Sequence, residues 1–426
     1  MGKILLKNAE VLGSNGEVTL ADVAIDDTII VQVGDISTDW HADQIIDCTN
    51  LLAVPGFVNT HTHAAMSLFR GYADDMQLMD WLEKKIWPAE ANLVAEDVYW
   101  GTLLANAEMI KSGTTTFSDM YFHMPQVAQA VADSGMRAVL ARGMAGVAPN
   151  ANQALIESEA FFNDYHNSAD GCITVMLGPH APYTCPPEYL KRVVTLSQRL
   201  GAEIHIHLAE TIGEVEECQK KYSKSPIALM KELGVLDCGV LAAHCVHLSS
   251  EDIEIMKEAN VRVAHNPGSN MKLASGIAPV AQMLSAGLCV GLGTDGTASN
   301  NNLDMLEEIR LAAMLHKVQA LDPLLIPAKT AINMGTSYGA QALGLGMVTG
   351  TIAPGFKADI TLFNMHAPHW YPRHDRLSLL AYSASGSDVH TVLINGKVIL
   401  DNKRLTTIDE EQVMYEANKR GLRLVK

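Results

Sequence analysis

Several apolar runs in this chain end in residues able to bind a metal ion or move a proton: His61 and His63, Asp119, Arg142, His180, His207, His244, His265 and Asp295. In "NTHTH", residues 59–63, two imidazoles stand two positions apart. In a strand that spacing turns both to one face, where two ring nitrogens can reach one ion. His207 follows His205 at the same spacing in "HIHLAE", and the later histidine, nearer the end of its run, is the expected ligand. Asp295, in "GLGTDG", adds a carboxylate where glycines permit close approach. Three imidazoles and one carboxylate suit Zn²⁺ or Fe²⁺, with a position left open for water. A lone histidine at a strand end is ordinarily a satisfied polar residue, and that is the expectation for His265 taken by itself.

Such residues need a scaffold that makes them converge. The middle of the chain, 55–346, alternates strand-like runs with amphipathic stretches. The eight runs are "GFVNTHTH", "GTTTFSDM", "MRAVLARG", "CITVMLGPH", "EIHIHLAE", "GVLAAHCVH", "VRVAHNP" and "LCVGLGTDG". Repeated β-α units of this kind predict a (β/α)8 TIM-type barrel, whose strands carry their chemistry at the carboxyl ends. A doubly wound open sheet is disfavoured, since no G-x-G-x-x-G follows an early strand. Residues 1–54 read as short strands, and 347–426 carry the same pattern, with an Asn395-Gly396 hairpin signal. Together the two ends are expected to build one small β-sandwich domain.

Composition narrows the partners. Of 426 residues 48% are hydrophobic, enough for a large core, and the formal net charge of −17 argues against nucleic acid or an anionic membrane. A small-molecule substrate suits this surface. Seven cysteines without a C-x-x-C pair read as reduced thiols in a cytoplasmic protein, and neither a membrane-spanning run nor a targeting segment is legible.

H-T-H after the first strand, H-L-A-E after the fifth, H-C-V-H after the sixth and T-D-G after the eighth resemble the amidohydrolase superfamily over essentially the whole chain. The resemblance implies one divalent metal per subunit, zinc before iron, held by His61, His63, His207 and Asp295. The binuclear relatives' lysine at the end of strand four is absent, and His180 stands there. A metal-polarised water would be the nucleophile, with Asp295 taking its proton. Glu210 would protonate the ring nitrogen of an aromatic amidine and deliver a proton to departing ammonia, while His244 would hydrogen-bond the nucleophile. His247 is expected to be structural.

Within the superfamily, "MDWLEKKIWPAEANL", "GPHAPYTCPP", "HNPGSNMKLASG" and "TDGTASNNNLDMLEEIRLA" resemble the 5-methylthioadenosine/S-adenosylhomocysteine deaminases. That likeness implies Glu90 on the ribose hydroxyls, His180 on the nucleoside, Arg142 at the 5′ substituent, and Glu210 and Asp295 at the purine. Family members that take S-adenosylhomocysteine often have a second arginine a dozen residues after the first, and "GMAGVAPNANQALIESEAF" contains none. Its loss would weaken that substrate by about 1–3 kcal/mol, so smaller, uncharged 5′ groups are the expected preference.

The alternatives are a triazine, pyrimidine or guanine-type hydrolase on the same scaffold, which Glu90 and Arg142 disfavour, and a catalytically silent binding module, which the complete residue set disfavours. Met66, Met76 and Met79 read as core and pocket filler. Trp81 and Trp87 either wall the substrate or simply pack. Ser299 and Asn300 to Asn302 are expected to shape a loop and cap the next helix, with Asp304 in its first turn. Family habit implies a homo-oligomer.

Overall fold

The computed structural model describes residues 2–426. Each run read as a barrel strand is one: β1 Phe57–Thr62, β2 Thr114–Tyr121, β3 Arg137–Met144, β4 Ile173–Pro179, β5 Ile204–Leu208, β6 Val240–His244, β7 Arg262–His265 and β8 Val290–Leu292. They pair in that order, all parallel. The ring is drawn together just past β8, where the Asp295 N–H donates to the His61 carbonyl at 2.9 Å.

Both faces of these strands are covered, which is why they read as near-continuous apolar runs. Ile204, Ile206 and Leu208 of β5 join the outer core against the helices. The alternate positions, His205 and His207, therefore face the barrel interior. Inside, Val139, Met176, Leu241 and Ala264 pack with Ala340 and Ala342 of the short helix Ser337–Ala342. Bulk fills the barrel from within, and polar residues are left for the strand ends.

The two ends of the chain meet in one nine-stranded sheet. Its N-terminal part includes Lys3–Leu12, Val18–Asp26 and Ile29–Gly34, and Leu51–Pro55 pairs antiparallel with Ile360–Asn364 from the other end. Asn395 and Gly396, with positive φ of 49° and 75°, make the tight turn of the hairpin Val389–Ile394/Lys397–Asp401. Leu6, Val23, Ile25, Ile360 and Leu362 give this sheet a core of its own.

A buried ion pair ties sheet to barrel. Arg137, at the start of β3, donates from Nε and Nη2 to the two carboxylate oxygens of Asp359 at 2.8 and 3.2 Å. The Asn395 N–H adds a third donor at 2.6 Å. The C-terminal helix Glu410–Leu424 packs along Ala95–Lys111, where Arg420 pairs with Glu96 and Asp97. Among the described residues no helix is long and apolar enough to cross a membrane.

Candidate active site

His61 and His63 project from the end of β1 with their rings 4.9 Å apart. Each histidine of the cluster is aimed through its far nitrogen. His63 Nδ1 lies 2.6 Å from the Met120 carbonyl, and His207 Nδ1 lies 2.7 Å from the His180 carbonyl. A carbonyl only accepts, so each Nδ1 carries a proton, and in the neutral ring each Nε2 keeps its lone pair. His61 Nδ1 lies 2.8 Å from His205 Nε2, and His205 Nδ1 lies 3.3 Å from the Ser118 hydroxyl. That relay lets His61 also present a bare Nε2.

The free nitrogens converge on Asp295. His61 Nε2 and His63 Nε2 each stand 3.4 Å from its Oδ1. Asp295, in the left-handed region at φ 61°, is fastened through Oδ2 by the hydroxyls of Ser269 at 2.6 Å and Ser299 at 2.9 Å. Candidate ligand atoms lie within 4.8 Å of one another in two overlapping triplets, His61/His63/His207 and His61/His244/Asp295. His61 Nε2 is buried with no hydrogen-bond partner. An orphaned lone pair amid this donor set is what a divalent cation would satisfy, so the residues fit such an ion.

Electrostatics agree with that fit. Burial, reinforced by neighbouring imidazoles, pulls the His61 pKa down to about 4 and that of His180 to about 3, and holds His207 well below the usual range. Burial opposes the Asp295 carboxylate, but His61, His63 and His244 outweigh it and hold its pKa well below normal. Neutral imidazoles and an ionised carboxylate are the ligand forms metals require.

Beside the cluster, Glu210 Oε2 stands 3.9 Å from His244 Nε2. Burial raises the Glu210 pKa against the pull of His244. For His244 burial works the other way, yet Glu210, Asp295 and the Asn270 side chain together raise its pKa. Its Nδ1 lies 2.8 Å from Asn270 Oδ1, leaving Nε2 to face Glu210. Glu210 itself sits on a bend: Ala209 has φ 51°, and the Glu214 carboxylate accepts the N–H groups of Ala209 and Glu210, both at 2.9 Å.

A pocket of about 490 Å³ opens over these groups, with His63, His207, Glu210, His244 and Asp295 in its lining. Glu90, His180 and Arg142 line it too, with the His180 ring centroid 4.8 Å from that of His207. Glu90 accepts the Tyr121 hydroxyl at 2.8 Å, and burial pushes its pKa up to about 7. His180 Nδ1 lies 3.0 Å from the Thr184 hydroxyl. The Arg142 guanidinium is engaged by Glu157, with Nε at 3.0 Å and Nη2 at 2.8 Å from Glu157 Oε2, while Nη1 donates to the Gly143 carbonyl. Trp81 and Trp87, whose role the sequence left open, both line the pocket.

Two expectations need correction. His265 neither joins the site nor finds a polar partner. It shares the outward face of β7 with Val263, its ring centroid lies 5.3 Å from that of His316, and both its nitrogens lack hydrogen bonds. Strand parity, with Ala264 facing inward, decides this. Ser299 does more than shape a loop, because its hydroxyl holds Asp295, and Asp304 is the cap of helix Met305–Ala320 and not part of its first turn. His247 is structural as expected, 2.7 Å from the Ser275 carbonyl. Asp119 accepts the Ala64 N–H at 2.6 Å beside β1. Ser269, Asn270, Tyr121 and Glu214 support the site without having been singled out. Only Glu214 had a signal, as the acid three residues after the Thr211 cap.

A nearly closed parallel barrel that gathers imidazoles and a carboxylate beyond its strand ends, beneath one pocket, defines a metal-dependent barrel enzyme. Residues 52–399 match the amidohydrolase family, and the chain belongs to it. It is 54% identical to the 5-methylthioadenosine/S-adenosylhomocysteine deaminase of Pelotomaculum thermopropionicum, over 100% of this chain and 99% of that one. The deaminase of the same name from Dictyoglomus thermophilum is 51% identical, again over 100% and 99%. Among solved structures, a zinc-bound adenosine deaminase from Xanthomonas campestris superposes with a TM-score of 0.95 at 33% identity, covering 99% of this chain and 98% of that one. The zinc complex of atrazine chlorohydrolase from Arthrobacter aurescens shares the fold, with a TM-score of 0.91 at 23% identity over 98% and 100%.

Proposed function

We propose that this protein hydrolytically deaminates the adenine ring of 5′-substituted adenosines. It would convert 5′-methylthioadenosine to 5′-methylthioinosine and S-adenosylhomocysteine to S-inosylhomocysteine, with adenosine and 5′-deoxyadenosine as further candidate substrates. The observation that carries the reading is the meeting of Glu210, His244 and the His/Asp cluster in a pocket whose lining also includes Glu90 and Arg142. The named relatives above support the same reaction.

His61, His63, His207 and Asp295 would hold one divalent ion per subunit, zinc before iron. Such an ion lowers the pKa of water toward neutrality and so supplies a hydroxide nucleophile. Asp295 accepts the proton of the attacking water as its oxygen adds to C6. Glu210 donates a proton to N1, so that the tetrahedral carbon forms without a full charge on the ring. His244 hydrogen-bonds the entering oxygen through Nε2, its ring held in place by Asn270. The Glu210 carboxylate then moves the hydroxyl proton of the tetrahedral carbon to the amino nitrogen, which departs as ammonia and leaves the hypoxanthine ring, and the proton held by Asp295 returns to Glu210 for the next turnover. Glu90 accepts hydrogen bonds from the ribose hydroxyls, and His180 contacts the nucleoside. Trp81 and Trp87 add apolar walls.

The free state of all seven cysteines, with all but Cys238 and Cys289 buried, supports a reducing cytoplasmic setting. Association into a homo-oligomer goes with this reading, and neither nucleic acid nor membrane is a partner in it. The test is a screen of purified protein against 5′-methylthioadenosine, S-adenosylhomocysteine, adenosine, 5′-deoxyadenosine, guanine, cytosine and a chlorotriazine, following ammonia release and the adenine-to-hypoxanthine absorbance change. Metal content is measured on the same sample. Activity restricted to free bases or triazines would overturn the ribose assignment, and full activity in metal-free protein would overturn the metal site.

A further inference from the structure

Arg142 is a poor receptor for a free carboxylate as it stands. Its side chain is 10% exposed, and the Nε–Nη2 edge, the one best suited to a bidentate carboxylate, is already taken by Glu157 Oε2 at 3.0 and 2.8 Å. Nη1 is occupied by the Gly143 carbonyl. The Phe122 ring lies 5.8 Å from the guanidinium carbon. Glu157 is carried by the helix Ala151–Tyr165, so it is always at hand, and an incoming anion must compete with a tethered one. The pocket that Arg142 lines is otherwise largely apolar, with Leu78, Trp87, Phe122, Val147 and Ala148 in its lining.

We infer that Glu157 is a specificity-determining residue: by occupying Arg142 it neutralises the 5′ subsite and selects nucleosides with an uncharged, apolar 5′ substituent over those ending in a carboxylate. The inference rests on the deaminase reading above. An alkylthio group buries against the apolar lining and leaves the Arg142–Glu157 pair intact. A carboxylate-bearing tail either displaces Glu157 or lies beside its negative charge, and both outcomes oppose binding. Glu157 acts through Arg142, so it is a positioning residue with no part in the chemical step.

The experiment compares kcat/KM for 5′-methylthioadenosine, 5′-butylthioadenosine and S-adenosylhomocysteine in the wild-type protein and in Glu157→Gln. The butylthio compound has the chain length of the homocysteine tail without its charges. In the wild type the butylthio compound is expected to be the better substrate of that pair. In Glu157→Gln the ratio of kcat/KM for S-adenosylhomocysteine to that for 5′-methylthioadenosine is expected to rise on the order of tenfold. A merely structural role would lower both constants together and leave their ratio unmoved, which would overturn the inference. So would a fall in the ratio, the result expected if Glu157 instead receives the ammonium of the homocysteine tail. The wild-type comparison decides independently if the variant does not fold, since a preference for S-adenosylhomocysteine over the butylthio compound also overturns the inference. Absence of deamination of any adenosine by the wild type would instead defeat the underlying functional reading.

Discussion

Glu214→Gln tests whether Glu210 is placed by its neighbours. The two carboxylate oxygens of Glu214 accept the N–H groups of Ala209 and Glu210, each at 2.9 Å, and so brace a bend in which Ala209 is left-handed at φ 51°. A left-handed alanine costs about 1–2 kcal/mol. Glutamine has one acceptor where glutamate has two, so whichever way the amide turns, one buried N–H faces an NH2 group. Leaving that donor unmet costs about 1–3 kcal/mol, comparable to the strain the brace offsets. The remaining support, from the Val246 and His247 N–H groups to the Ala209 carbonyl at 3.0 and 2.9 Å, keeps the chain folded while the bend relaxes. A displacement of Glu210 by about 1 Å would lower kcat about 100-fold. The expected outcome is a kcat reduced about 10- to 100-fold with a smaller change in KM, read from the absorbance change on deamination, and a modest fall in melting temperature. A lowered melting temperature with kcat within about twofold of wild type, a barrier change of under about 0.5 kcal/mol, would show that Glu210 does not depend on this brace.

Glu90 supplies a pH dependence. Burial raises its pKa to about 7, so the neutral form dominates below that pH and the ionised form, the better acceptor for two hydroxyls, above it. The ratio of kcat/KM for 5′-methylthioadenosine to that for its 2′-deoxy analogue should therefore rise as pH passes upward through about 7, and Glu90→Gln should flatten the rise. Taking a ratio cancels titrations shared by both substrates, and a ratio independent of pH in the wild type would count against Glu90 as the ribose contact. Away from the pocket, Asp359→Ala strands the buried guanidinium of Arg137 and should cost about 3–5 kcal/mol of unfolding free energy by urea titration. A loss below about 1 kcal/mol, the range of an exposed pair, would show that the ion pair does not tie sheet to barrel.

Much of this architecture is local in origin. Each barrel strand is covered on both faces and so announces itself as an apolar run, and the Asn395-Gly396 turn is legible because both residues tolerate positive φ. The spacing of His61 and His63 is likewise enough to set them on one face. His265 was misjudged because a residue at the end of a short strand can face in or out, and only the packing of Val263 against the outer core shows which. Ser269 and Asn270 were missed for a different reason. A serine or an asparagine in a loop carries no pattern of its own until the loop is folded over the site.

The sequence by itself determined the strand order and the residue types able to bind a metal, because periodicity and chemical type are properties of neighbours along the chain, while the acid and base candidates came from the family resemblance. Tertiary structure alone decided which nitrogen of each histidine is free, through Met120, His180 and His205. It alone placed Glu157 on Arg142. Those contacts join side chains to carbonyls and to other side chains with their own rotamers and strand registers, and no spacing rule carries that information until the barrel has closed.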